Sequence, residues 1–143
     1  MRVLGVDLGS TRVGLAVSDP STTVASPHSV LRRAGDRSVD HAAIREVVAE
    51  YDVELVVVGL PLSLDGSIGP AARRALTEVD AMRGTLGVPV ETYDERLTTV
   101  TAEASLREAG MRAEQRRGVV DKVAAAILLQ SWLDARHQAG TGS

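Results

Sequence analysis

The sequence has no cysteine and no phenylalanine, and its only aromatic residues besides histidine are Tyr51, Tyr93 and Trp132. Without cysteine there can be neither a disulfide framework nor a thiolate-bound zinc site. The three histidines, His28, His41 and His137, are scattered and lack the close pair of a helical zinc motif. So few aromatics argue against a base-stacking platform, and recognition of nucleic acid would have to rest on backbone and shape. No apolar run approaches the roughly 20 residues that cross a bilayer. The N-terminus places Asp7 where a signal peptide would be plainly apolar. A cytoplasmic protein with no membrane partner is expected. Lysine is nearly absent as well: Lys122 is the single one, every other basic residue is arginine, and the formal net charge is −3. That balance argues against wholesale binding of nucleic acid, which usually shows a basic domain. Local clusters at Arg32, Arg33 and Arg37, at Arg73 and Arg74, and at Arg112, Arg116 and Arg117 soften the point.

What is present describes one soluble α/β domain. The chain has 143 residues, 44% hydrophobic and 24% charged, enough to bury about two-thirds of its unfolded surface. Residues 2–8 and about 13–18 read as strands around a "GSTR" turn, and "ASPHSVLRR" suggests a third, short strand. Ile44, Val47, Val48 and Tyr51 recur at helical spacing, so a helix is expected over 38–51 with Ser38 as its cap. "VELVVVGLP" is a continuous β-branched run, the mark of a strand covered on both faces. A helix entered at Pro70 follows, then the strand "VPVETYDE", a helix from Thr98 or Thr99 to Ala109, and a long apolar helix over 119–136. Residues 1–138 form the expected domain and "AGTGS", 139–143, a flexible tail. The order βββαβαβα(α) implies a mixed five-stranded sheet flanked by helices, an antiparallel meander joined to parallel crossover strands.

Three acids sit where apolar or turn residues surround them. Asp7 interrupts the first strand, Glu95 follows the last strand in "YDERLTT", and Asp121 opens the final helix. Each has a purely local use open to it. Asp7 can accept from the turn amides of Gly9 and Ser10, Glu95 and Arg96 can form a surface ion pair, and Asp121 can cap its helix. The strand ends of an open α/β sheet are also where ligands bind, and this topology can gather all three there. Carboxylates brought together resist ionising unless a cation neutralises them. Oxygen ligands without cysteine or a histidine pair point to Mg²⁺ or Mn²⁺, ions suited to phosphodiester hydrolysis. Alternation alone does not decide whether Asp94 or Glu95 faces the ion. Gly9 would let the backbone approach a phosphate closely. Arg12, Arg96, Arg116 and Arg117 are candidate phosphate contacts, with Arg96 alternatively orienting Glu95.

"VDLGSTRVGLAVSD", "VVGLPLSLDGS", "YDERLTT" and "VDKVAAAILLQSWLD" resemble, in order and spacing, the motifs of the YqgF/RuvX family. That family comprises RNase H-like bacterial proteins described both as pre-16S rRNA nucleases and as Holliday junction resolvases. The resemblance covers about positions 2–134. It implies an RNase H-like fold and a metal-dependent endonuclease whose acids are matched by Asp7, Glu95 and Asp121. It further implies a structured RNA precursor, with a ribosomal precursor particle as the setting, or branched DNA as substrate, in a monomer or homodimer. A non-catalytic RNA-binding assembly factor is the alternative from another class. One departure is visible: the family often has Lys-Arg after the first turn, and here Thr11 precedes Arg12. The opening "DLGSTRVGLAV" also looks like the phosphate loop of actin-like ATPases and sugar kinases, but those clamp ATP between two such domains and this chain is long enough for one.

Overall fold

A computed structural model describes residues 1–98 and 120–141, with side chains in the final helix from Val123 to His137. Five strands make one sheet: β1 (Arg2–Leu8), β2 (Arg12–Ser18), β3 (Ala25–Arg32), β4 (Val53–Leu60) and β5 (Val90–Asp94). Their order is β3-β2-β1-β4-β5. The first three pair antiparallel, whereas β4 pairs parallel to β1 and β5 parallel to β4. The mixed sheet expected from the element order is therefore present. β3 is longer than expected, eight residues, and as an edge strand it accommodates Pro27.

Alternation along β1 divides the core. Leu4 and Val6 face helices α1 (Arg37–Glu50) and α2 (Pro70–Thr85), where they join Leu15, Ile44, Val56, Val58, Val79 and Met82. Val3 turns to the other face, with Ala16, Leu55, Val57 and the residues Ala125, Leu129, Trp132 and Leu133 of the last helix, α3 (Val120–Thr141). Both faces are covered, which is why the middle of β4, Leu55–Val58, is an apolar run. No helix among the described residues is long and apolar enough to cross a membrane.

Element ends differ from the sequence expectation in instructive places. Ser38 does not cap α1. Asp36 does, accepting from the Ser38 amide at 2.9 Å and its hydroxyl at 2.7 Å, since a carboxylate two residues earlier reaches the open amides of the first turn. Pro70 opens α2 as expected. The strand "VPVETYDE" ends at Asp94, and Glu95–Thr98 forms a single 3-10 turn. α3 reaches Thr141, into the segment expected as a tail. The helix expected up to Ala109 lies outside the described residues.

α3 runs antiparallel to β1. Near its C-terminal end His137 meets the Thr22 carbonyl at 2.7 Å, and Gln130 holds the Ala25 amide at 2.8 Å, both at the end of the sheet where β1 begins. Its N-terminal turn consequently rises towards the edge where β1, β4 and β5 finish.

Candidate active site

That edge is the C-terminal edge of the three parallel strands. Val6 pairs with Val58, so Asp7 stands level with Gly59, and Gly59 in turn pairs with Tyr93. Asp7 shares a sheet face with Val3 and Gly5, and Gly59 shares that face with Leu55 and Val57. All of them look towards α3. After β5 the 3-10 turn brings the Glu95 side chain back over β4, where it lies directly against Gly59.

Asp7 and Glu95 are thereby in contact. Glu95 is half-buried, and its carboxyl is pushed up to about 6. Burial is the largest cause, followed by the negative charge of Asp7, the hydrogen bond between the two carboxyl groups and the charge of Asp94. Every one of these described influences favours the protonated acid. The Gly9 amide donates to the Arg12 carbonyl at 2.9 Å, closing the turn that follows Asp7.

The neighbouring acid is disposed of differently. Asp94 is gripped by Arg96, whose Nη2 and Nε reach it at 2.7 and 3.1 Å while the Arg96 amide donates to Oδ1 at 2.9 Å. Asp94 is held below its usual carboxylate value by that hydrogen bonding. The two adjacent acids therefore part: Glu95 turns inward to Asp7, and Asp94 turns outward to the Arg96 guanidinium. Arg96 pairs with Asp94 rather than with Glu95, since a guanidinium two residues from Asp94 closes a compact ring with it. Arg96 also donates to the Leu64 carbonyl at 3.2 Å, which fixes the "LDGS" turn beside the site.

The other candidates are placed as follows. Asp121 lies in the first turn of α3, one turn (~5.4 Å) before Ala125, whose carbonyl packs against Gly5 two residues from Asp7. The Asp121 side chain falls outside the described residues. Gly9 makes the tight β1–β2 turn: a Cβ there would stand 2.6 Å from the Arg12 carbonyl oxygen. Arg12 is exposed at the start of β2. Arg116 and Arg117 lie outside the described residues. Thr98 donates to the Glu95 carbonyl at 2.6 Å, bracing the turn.

A second carboxylate cluster, not anticipated from the sequence, occupies the opposite face. Glu78, Asp40 and His41 are buried there. Arg33 pairs with Glu78 at 2.6 and 3.0 Å and with Asp40 at 3.4 Å, and His41 meets Glu78 at 2.8 Å. A signal existed: Asp40 and His41 fall on the side of α1 that carries Ile44, Val47 and Val48, and Glu78 lies between Ala75 and Val79 on the buried side of α2.

A mixed five-stranded sheet ordered β3-β2-β1-β4-β5 with helices on both faces is an RNase H-like fold. Among solved structures, Thermus thermophilus RuvC in complex with a Holliday junction superposes with a TM-score of 0.59 at 23% identity, covering 96% of each chain. The large terminase nuclease of the thermophilic phage G20c gives 0.58 at 18% identity, covering 92% of this chain and 81% of that one. At these identities the likeness establishes the fold. The sequence is more specific: residues 1–135 match the family model "RuvX: Holliday junction resolvase", and the chain belongs to that family. An Anaeromyxobacter sp. (strain Fw109-5) protein named "Putative pre-16S rRNA nuclease" is 49% identical over 137 residues, 96% of this chain and 99% of that one. A Mycobacterium sp. (strain KMS) protein of the same name is 48% identical over 141 residues, 96% of this chain and 82% of that one.

Proposed function

We propose that this chain is an endonuclease dependent on Mg²⁺ or Mn²⁺ that hydrolyses phosphodiester bonds in the 5′-end processing of pre-16S rRNA. The observation that carries this reading is the Asp7–Glu95 contact. A fold gains nothing from placing two acids against each other in a half-buried position; a site that takes up a divalent cation does. The donor set fits a hard ion, being two carboxyl groups with no sulfur, and Asp121 is the third ligand proposed. Such an ion, when bound, supplies an activated water and stabilisation of the leaving oxygen. The protein's own part is to hold Asp7 on the rigid central strand and Glu95 on a braced turn, so that little reorganisation accompanies binding. The substrate backbone is met by Gly9 and Arg12 on one flank and by Arg96 on the other, with Arg116 and Arg117 proposed as further phosphate contacts.

The name the relatives carry supports an RNA precursor, and the description of the family supports a four-way DNA junction. The decisive experiment offers both substrates side by side, with Mg²⁺, Mn²⁺ or EDTA, to wild type and to Asp7→Asn. Expected are cation-dependent cuts in the RNA leader that Asp7→Asn abolishes while its circular dichroism is unchanged. Cutting of the junction alone would replace the RNA reading with the resolvase one. RNA binding with no cutting would leave a non-catalytic assembly factor, and equal cutting by Asp7→Asn would end the proposal.

A further inference from the structure

We propose that Gly59 is a positioning residue: its missing side chain is the bed on which the Glu95 carboxyl group lies, and this is what brings Glu95 to Asp7. The inference rests on the nuclease reading and adds to it a residue that does not itself bind the cation. β4 is built almost wholly of large apolar residues, Val53, Leu55, Val56, Val57, Val58 and Leu60, and Gly59 interrupts them inside the strand. Glycine weakens a strand interior and marks places where something else must come close. Its backbone here does not require it, because positive φ among the described glycines falls at Gly35, Gly66 and Gly87 and not at Gly59.

What comes close is the catalytic candidate itself. A Cβ on Gly59 would stand 2.6 Å from Glu95 Oε1, 3.0 Å from its Cγ and 3.2 Å from its Cδ. The obstruction involves only the far part of one flexible side chain, so the fold can accept a methyl group if Glu95 swings away. The backbone of Glu95 has little room to follow, since Thr98 holds its carbonyl and Arg96 is fastened to Asp94 and Leu64. A swing therefore carries the carboxyl group off Gly59 and away from Asp7, which is level with Gly59 across the sheet.

Gly5 is the built-in control. It lies on the same face, one strand away, and is just as crowded: a Cβ there would stand 2.8 Å from Leu129 Cβ and 3.0 Å from the Ala125 carbonyl oxygen. Those atoms belong to the packed body of α3 and cannot swing, so Gly5→Ala should disturb packing where Gly59→Ala disturbs only Glu95.

The test uses Mn²⁺ alone as the probe, titrated calorimetrically into wild type, Gly59→Ala, Glu95→Gln, the double variant and Gly5→Ala, with thermal melting of each. Gly59→Ala is expected to keep the wild-type melting temperature within about 2 °C and to bind Mn²⁺ at least tenfold more weakly. In the Glu95→Gln background the same change should cost less than threefold more, because both act through one carboxyl group. Gly5→Ala should melt several degrees lower. A crystal structure of Gly59→Ala should show the Glu95 carboxyl group displaced from Asp7. Wild-type Mn²⁺ affinity in Gly59→Ala, full additivity with Glu95→Gln, or loss of the fold in Gly59→Ala would each overturn the role of Gly59 and leave the nuclease reading standing. Absence of Mn²⁺ binding by the wild-type protein would overturn both.

Discussion

The molecule holds two groups of acids against the same sheet and treats them in opposite ways. On the α1–α2 face, Glu78 and Asp40 share Arg33, and His41 sits against Glu78. Burial pushes the Glu78 carboxyl up, but hydrogen bonds and charge from Arg33 and His41 outweigh it and hold the group below its usual value. On the α3 face, burial and the neighbouring Asp7 act on Glu95 in the same direction and drive it up to about 6. Both clusters took carboxylates out of water. In the first, one guanidinium supplies the compensation, gripping Glu78 with two bonds and Asp40 with one. The second is the pair proposed above to take up a cation, and the contrast lies in the sign of the shift that each glutamate shows.

Substitutions should pull the two apart. The largest effect expected is on catalysis: Asp7→Asn should lower cleavage by at least about a hundredfold. Its urea midpoint in EDTA should equal or exceed that of wild type, because a like-charge contact has been relieved. Arg33→Met should do the reverse, destabilising by about 3–5 kcal/mol in urea unfolding, since Glu78 and Asp40 would be left buried without their cation. Were Arg33→Met as stable as wild type, the α1–α2 cluster would not be the compensated one.

Acidity offers a finer comparison. Between the ordinary glutamate value of 4.5 and its native value of about 6, folded Glu95 keeps a proton that the unfolded chain has lost. Its contribution to stability therefore falls as pH rises through that window. Glu78 has the opposite sign, contributing in full above its ordinary value and losing that contribution as pH falls through its lowered native value. Urea midpoints in EDTA should accordingly show Glu95→Gln gaining on wild type from pH 4.5 to 6 and level thereafter, with Mg²⁺ narrowing the gap. The smallest effect belongs to an exposed acid: Asp36→Ala should lower the urea midpoint slightly through the lost cap of α1, with cleavage unchanged.

Much of this was readable beforehand because periodicity and motif order encode it. The β-branched run of β4 and the alternation of β1 carry the sheet, and four ordered motifs carried the family. The acids at strand ends were legible as candidates for the same reason, since a charge amid valines and leucines needs an explanation. Local choices were not legible. Asp36 and Ser38 are both good caps, and only the entry path of the chain decides between them. Asp94 and Glu95 are adjacent acids, and which one turns inward depends on the reach of Arg96 and on the gap at Gly59, neither of which leaves a period in the sequence. The Arg33 cluster joins residues 33, 40, 41 and 78 from the loop after β3 and from two helices, so its members look like unrelated surface charges until the helices pack.

Arg33 has one more partner: its Nε donates to the carbonyl of Gly9 at 3.1 Å. The turn that follows Asp7 is thereby lashed to both helices of the far face by a single side chain. Loops at reaction centres are commonly the first parts of a protein to loosen, but this one should exchange its amide hydrogens on the slow timescale of the interior, because it cannot open until the helices behind it let go.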